Sequence, residues 1–200
     1  MNLYFSSNDL ENTTLVSANG VAQYRITTSK AGAFRSPAVT TISRPADLAA
    51  GGVVGEIEWR RWGAHPLVRS NVFDGVAQAI EVRELLYKLG STFSTARYFL
   101  GNDNEEYRWK YAKNSGYVLT QRSSGEEIAR HSSEVVREGL FRGEQHWGLR
   151  IRPSNLDIDM IVLTFVVLEK RRHDRVTEKE PHDASHGEEE PCEGGIEMGS

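Results

Sequence analysis

Residues Ser154–Arg172 read SNLDIDMIVLTFVVLEKRR. From Met160 to Leu168 every residue is apolar except Thr164. A helix lying on a protein surface carries one apolar stripe and one polar face. This stretch is apolar all round, so it has to be enclosed. Its ends carry helix-terminus signals: Ser154 is placed to cap the start, with Asp157 three residues on in capping-box position. Asp157 and Asp159 suit the positive N-terminal end of a helix, and Lys170, Arg171 and Arg172 suit the negative C-terminal end. A membrane span needs about 20 consecutive apolar residues, and this run is far shorter. The stretch is expected to be a helix buried inside the protein's own fold, which points to an architecture and to no reaction.

What precedes it reads mainly as β-structure. Thr13–Ile26 holds two strand-like runs flanking Asn19-Gly20, a dipeptide that favours a type I′ hairpin turn because both central residues need positive φ. Val39–Arg44 is a β-branched run that Pro45 ends. In Val53–Trp59 (VVGEIEW), Ile57 and Trp59 share one face and Glu56, Glu58 and Arg60 the other, as in a half-buried antiparallel strand. Glu106–Tyr111 (EYRWKY) repeats that alternation, with Tyr107, Trp109 and Tyr111 on the inner face. The Gly101–Asn104 turn before it tolerates left-handed backbone and predicts a hairpin with Arg97–Leu100. Tyr117–Gln121 extends the meander, and Trp147–Arg152 alternates with Leu149 and Ile151 inward. The EIEW and EYRW strands are loosely alike and hint at an internal repeat. Val82, Leu85, Leu86 and Leu89 have helical spacing, with Gly90 placed as the stop. The charged Arg130–Arg142 stretch reads as a long loop, with at most an irregular edge strand.

Many short strands followed by one all-apolar helix suggest a particular solution. A sheet must bury its apolar face. A sheet curled into a barrel needs its interior filled, which a central helix can do, and closure removes the exposed edges. The expected fold is mainly β (α+β): a closed antiparallel barrel around one central hydrophobic C-terminal helix, with a short helix near 82–89.

The chain has 200 residues, of which 38% are hydrophobic, and a mean hydropathy of -0.49. Both values are lowered by residues 174–200, where nine acidic and two basic residues leave almost nothing to bury. Such a segment cannot offset the entropy of ordering itself, so residues 1–173 are expected to form the domain and 174–200 a disordered acidic tail. The tail carries -7, the body +3, and the whole chain -4. A body this weakly basic lacks the concentrated face of nucleic-acid readers, and no nucleic-acid partner is expected. The single cysteine, Cys192, excludes an intramolecular disulfide and a cysteine-based metal site. The MNLYFSSNDL start has no basic or apolar signal region. A reducing, cytoplasmic setting is therefore expected, and with it an unused Asn12-Thr13-Thr14 sequon.

The opening Asn19-Gly20 hairpin, the EIEW strand at Glu56–Trp59, the EYRWKY strand at Glu106–Tyr111 and the closing IDMIVLTFVVLEKRR at Ile158–Arg172 together resemble an uncharacterised fungal domain family. That family is similar in pattern to the tubby C-terminal-like superfamily, which includes LURP-one-related proteins and phospholipid scramblases. The resemblance covers roughly Leu3–Arg172. It implies a closed barrel of about 12 strands around one hydrophobic helix, and no catalytic residues. Tubby domains bind phosphoinositides and scramblases are membrane-associated, so a lipid ligand is an expectation from fold analogy. The chain lacks the scramblase cysteine cluster and C-terminal membrane helix, and no tubby phosphoinositide motif carries over.

Candidate chemistry is sparse. Arg60, Arg61 and Arg69 lie in sequence near Trp62 and could form an anionic-lipid or phosphate site, with Trp62 at a membrane interface. The plainer reading is a solvated strand end. Lys170, Arg171 and Arg172 could form a basic patch where the helix emerges, or simply complement its dipole and hold its end in water. Glu56 with Glu58 and Glu105 with Glu106 are paired carboxylates, but on a solvent-facing side. Gly51-Gly52 with Gly55 lacks the Lys-Ser/Thr of a phosphate loop. His182 and His186 sit in the tail, poorly preorganised for a metal. No nucleophile constellation, metal site or cofactor is expected. The sequence therefore predicts a non-enzymatic, monomeric binding or scaffold domain. Its partner would be an unknown protein or an anionic lipid headgroup, with peripheral binding to phospholipid or phosphoinositide as the alternative function.

Overall fold

The computed structural model describes residues 1–7, 9–30, 37–45, 52–60, 64–73, 78–90, 94–113 and 116–177. Twelve strands and two helices follow in the order β1 (Asn2–Phe5), β2 (Asn12–Ser17), β3 (Ala22–Ser29), β4 (Ala38–Ser43), β5 (Val53–Trp59), β6 (Leu67–Ser70), β7 (Gln78–Glu81), α1 (Val82–Leu85), β8 (Arg97–Leu100), β9 (Glu106–Ala112), β10 (Gly116–Gln121), β11 (Glu127–Val135), β12 (Gln145–Ile151) and α2 (Ile158–Thr177). All twelve strands join one antiparallel sheet in the spatial order β7-β6-β5-β4-β3-β2-β1-β12-β11-β10-β9-β8. Neighbours in space are neighbours in sequence except at β1–β12, where the chain's first strand pairs with its last. Met1 extends that seam, its ammonium donating to the Ile151 carbonyl at 2.6 Å.

The sheet is not a closed barrel. Its terminal strands, β7 and β8, do not pair with each other. The chain leaving β7 turns into α1 and then forms a single bridge to β8, with Tyr87 and Tyr98 exchanging backbone bonds of 3.0 and 2.9 Å. That bridge uses backbone groups of β8 that a closing strand would need, so the sheet stays open there. α1 itself is one turn long, not the helix over 82–89 that the leucine spacing suggests. Leu86 is buried but already outside the helix, and Leu89 is exposed.

The core is α2. Met160–Leu168 are all buried, Thr164 included, and strands from both halves of the sheet supply the contacts. Gly55 in β5 lies against Leu163, Phe5 in β1 packs on Phe165, and Trp109 in β9 meets Phe165 from another side. An all-apolar helix is thus an internal one, and the sheet's inward rows (Leu3, Leu15, Ile26, Ile42, Ile57, Leu119, Leu149) are fully buried around it. Among the described residues, no helix is long and apolar enough to cross a membrane.

The helix start differs from the sequence reading. Asp157, not Ser154, caps it: its Oδ1 accepts from the Asp159 N–H at 2.9 Å and its carbonyl from the Ile161 N–H. The Asn102 side chain holds the Asp157 N–H in turn. One residue inside, Asp159 accepts from the Tyr24 hydroxyl at 2.7 Å and from two nitrogens of Arg44. Burial, then this carboxylate, push the Tyr24 phenol well above its usual range. The helix ends at Thr177, beyond residue 173, and residues 178–200 of the expected tail lie outside the described residues.

Two local expectations also change. In the first hairpin Gly20 takes positive φ (+80°) and Asn19 does not, so a four-residue loop with Gly20 N–H bonded to Ser17 O replaces a type I′ turn. The stretch Arg130–Arg142, expected to be a loop, opens inside β11, a nine-residue strand paired on both sides.

Candidate functional site

The apolar run of α2 stops at Leu168, and the cations that follow mark where the helix leaves the sheet. β5 runs alongside α2 in the same sense: Gly55 touches Leu163, and the Trp59 ring lies 5.5 Å from Lys170 Nζ. The two basic stretches singled out by sequence therefore start from one end of the molecule. Most of these cations already hold carboxylates. Lys170 donates to Glu11 at 2.6 Å and to Asp174 at 3.0 Å. Arg172 forms a two-nitrogen pair with Glu169 and lies 5.5 Å from the centre of the Tyr111 ring. Arg60 and Arg69 share Glu58, at 3.0 and 3.2 Å. Arg61 and Trp62 lie outside the described residues, as do His182 and His186.

Arg171 is different. No carboxylate among the described residues pairs with it; burial, then Arg175, then Arg97 hold its guanidinium below the usual arginine range. Arg97 occupies an inward position of β8 and is only 8% exposed. Its Nη1 donates to the carbonyls of Ala96 (2.8 Å) and Ser94 (3.4 Å), and no carboxylate among the described residues pairs with it.

On another side of the same helix end lies a cleft centred on His131. The imidazole is 7% exposed. It packs on Phe165 (ring centres 4.6 Å apart) and Phe5 (5.6 Å), and the half-exposed Trp147 indole stacks on it at 4.9 Å. Two adjoining hollows, of about 160 and 170 Å³, share His131, Trp147, Glu169 and Arg172. Burial, partly offset by Glu169, lowers the His131 pKa to about 4. At neutral pH the ring is therefore uncharged, with one nitrogen a donor and the other an acceptor. Neither nitrogen has a hydrogen-bond partner among the described residues. Three aromatic walls, one neutral two-way hydrogen-bonding ring and a Glu–Arg pair at the rim can hold a small, mostly apolar group with a polar end. They do not assemble a nucleophile with a base.

The sequence does not display this cleft, because the strand that carries His131 reads as a loop. The retrievable signal is the inward phase of Ile128 and Ala129 leading to His131, opposite Leu149 in β12.

A larger groove, about 470 Å³, runs over the outer face of β1, β12 and β11 beneath the 136–144 connection. Several of its polar groups are engaged: Ser132 with Glu134, His146 with Glu144, and Arg150 with Glu127. Glu56 and Glu58 lie on the outward side of β5, and no group of three or more His, Cys, Asp or Glu among the described residues could hold a metal ion.

A family model described as "Family of unknown function (DUF6593)" matches residues 8–174. No curated protein matches the chain. Among solved structures, the X-ray structure of a protein from Arabidopsis thaliana is similar, with a TM-score of 0.50 and 13% sequence identity, over 86% of this chain and 90% of that one. At that identity the likeness concerns the fold.

Proposed function

The chain belongs to this DUF6593 family of unknown function, and from that premise we propose that it is a non-enzymatic binding domain whose working surface is the end of the molecule where α2 emerges. The observation that carries this reading is the pair of hollows meeting at His131, Trp147, Glu169 and Arg172. A ligand with an apolar body and one polar end fits the chemistry of those walls. The sheet of antiparallel strands around one apolar C-terminal helix supports placing the family near the tubby C-terminal-like group, as its sequence pattern suggests. A cytoplasmic, monomeric protein is part of the same proposal.

A fluorescent probe of matching character, 8-anilinonaphthalene-1-sulfonate, tests the cleft. Saturable binding to the cooperatively folded protein, weakened by Trp147→Ala and by Leu10→Glu at a residue that lines one of the hollows, is the expected result. Binding that is unsaturable, or that ignores both substitutions, counts against the cleft.

Peripheral binding to anionic phospholipid has narrower support. Lys170, Arg172, Arg60 and Arg69 are already matched by carboxylates, so among the described residues Arg171 is the sequence-derived candidate that favours it. Salt-sensitive sedimentation with anionic vesicles is the corresponding test, and failure across a lipid panel removes that reading.

A further inference from the structure

Gly148 stands on the outer face of β12 with no backbone reason to be glycine. Its φ is not positive, and the strand keeps its register against β1 and β11 on both sides of it. Glycine inside a regular strand weakens it and marks a place where something approaches the backbone closely. Its cross-strand partners are Tyr4 in β1 and Ser132 in β11. A Cβ at Gly148 would lie 3.3 Å from the Leu3 carbonyl oxygen and 3.4 Å from Tyr4 Cδ1. The missing side chain thus lets the Tyr4 ring lie close to the sheet. Phe141 braces that ring edge-on, with centres 5.9 Å apart, and packs on the His146 ring at 4.3 Å.

The groove of about 470 Å³ opens over this spot. Its outer wall, the 136–144 connection, is fixed. The Leu140 N–H bonds to the Ala18 carbonyl at 2.9 Å, and Val136 exchanges backbone bonds with Glu144 and Gly143 at 2.9 and 2.8 Å. A site with walls already in place spends little on ordering when it binds. Glu134 and Glu138 line the groove together with Arg137 and Arg150, so its formal charges cancel. Among the described residues, the side chains of Asn2, Tyr4, Arg137 and Glu138 make no hydrogen bond or ion pair. An aromatic floor and a rim of unused planar polar groups therefore share one preformed hollow.

We propose that this groove is a binding site for a neutral saccharide. A sugar ring has a C–H face that packs on an aromatic ring, and the negative face of that ring favours the contact. Around its edge it carries hydroxyls, each both donor and acceptor. The Tyr4 and His146 rings serve the face, and the amide, carboxylate and guanidinium groups serve the hydroxyls. Balanced charge gives a phosphate or sulfate no net attraction, and burying these polar groups under a hydrocarbon chain would leave them unpaired. The volume falls within the roughly 300–1,000 Å³ of small-molecule sites. The groove lies on the outer face of the sheet and His131 on the inner one, so the proposal is independent of the cleft.

The full chain is applied to a panel of immobilised neutral and anionic oligosaccharides, and the strongest ligand is then titrated by calorimetry, both free and as its methyl glycoside. A neutral member should bind, and added salt should leave its affinity within about twofold, since an uncharged ligand is not screened. Arg137→Ala and Glu138→Ala, which lose no partner within the protein, should each weaken binding by about tenfold, the loss of one charge-assisted hydrogen bond, with the cooperative melt unchanged. Tyr4→Leu keeps an apolar cover on Gly148, removes the aromatic face and should weaken binding at least as much. Arg122→Gln, which removes a cation paired with Glu106 elsewhere on the sheet, should bind as the wild type does. Equal affinity for the free sugar and its glycoside assigns the end of an attached glycan, and binding of the free form alone assigns a soluble reducing sugar. Binding to no neutral member, binding confined to sulfated or sialylated members, or a neutral ligand indifferent to Arg137→Ala, Glu138→Ala and Tyr4→Leu overturns the proposal.

Discussion

Trp109 donates its indole N–H to the Thr164 hydroxyl across 3.0 Å, with both side chains fully buried. Thr164 is the one polar residue in the apolar run of α2, and Trp109 centres the EYRWKY strand. The hydroxyl in turn donates a hydrogen bond to the Met160 carbonyl at 2.7 Å, so the indole has a partner where the helix backbone alone offers none. Thr164→Val keeps the shape and orphans the indole N–H. It should destabilise the fold by about 1–3 kcal/mol, read by urea unfolding. Adding Trp109→Phe should cost less than its effect in the wild type, because the orphaned donor is then gone.

Two glycines at positive φ separate strain from collision. A Cβ at Gly116 (φ +69°) would collide with the His131 carbonyl oxygen, whereas one at Gly125 (φ +71°) would meet nothing within 4 Å. Gly125→Ala should cost about 1–2 kcal/mol, the ordinary penalty of left-handed backbone. Gly116→Ala should cost clearly more, since β10 and β11 must move apart. Equal losses in chemical denaturation would show that the strand spacing is wrong.

His131 makes stability depend on pH. Burial holds its folded pKa at about 4, below the roughly 6.5 of an exposed imidazole. The unfolded chain therefore binds a proton that the folded chain refuses between those values. The stabilisation is complete above about pH 6.5 and is lost as pH falls toward 4, up to about 3 kcal/mol. His131→Phe should flatten the wild type's loss of stability over that window. Parallel pH profiles for the two proteins would mean the imidazole is not desolvated.

How much of this was legible follows from where the contrast lies. β5 and β9 alternate large apolar with charged residues, so their phase and ends could be read directly. β11 reads EIARHSSEV, and its inward positions after Ile128 are Ala129 and His131, too small or too polar to stand out. Ser154 and Asp157 are both good caps. Asn102, 55 positions away in sequence, holds the Asp157 N–H, and local sequence cannot report that. Barrel closure failed for a local reason. It depends on whether β7 and β8, consecutive in the chain, pair with each other, and the Tyr87–Tyr98 bridge takes up the edge of β8 instead. The basic patches were visible as composition. Which cations were already matched depended on the placement of Glu11, Glu58 and Glu169.

Val162 is fully buried in the middle of α2. Val162→Asp would bury a charge with no partner, and Phe165→Asp would do the same beside His131 and Trp109. Both variants should fail to fold, seen as loss of a cooperative melt and of soluble protein. A soluble Val162→Asp variant with a normal melt would mean the helix is accessible.

The claim on which everything else rests is that α2 is the core of the sheet and not an attached or exchangeable helix. Native-state hydrogen exchange resolved by residue tests it directly. The amides of Ile161–Leu168 should exchange only through global unfolding, with an opening free energy equal to that from denaturant and as high as those of Leu119 and Leu149. Exchange of the α2 amides through a separate low-energy opening, while the strands stay protected, would contradict the account.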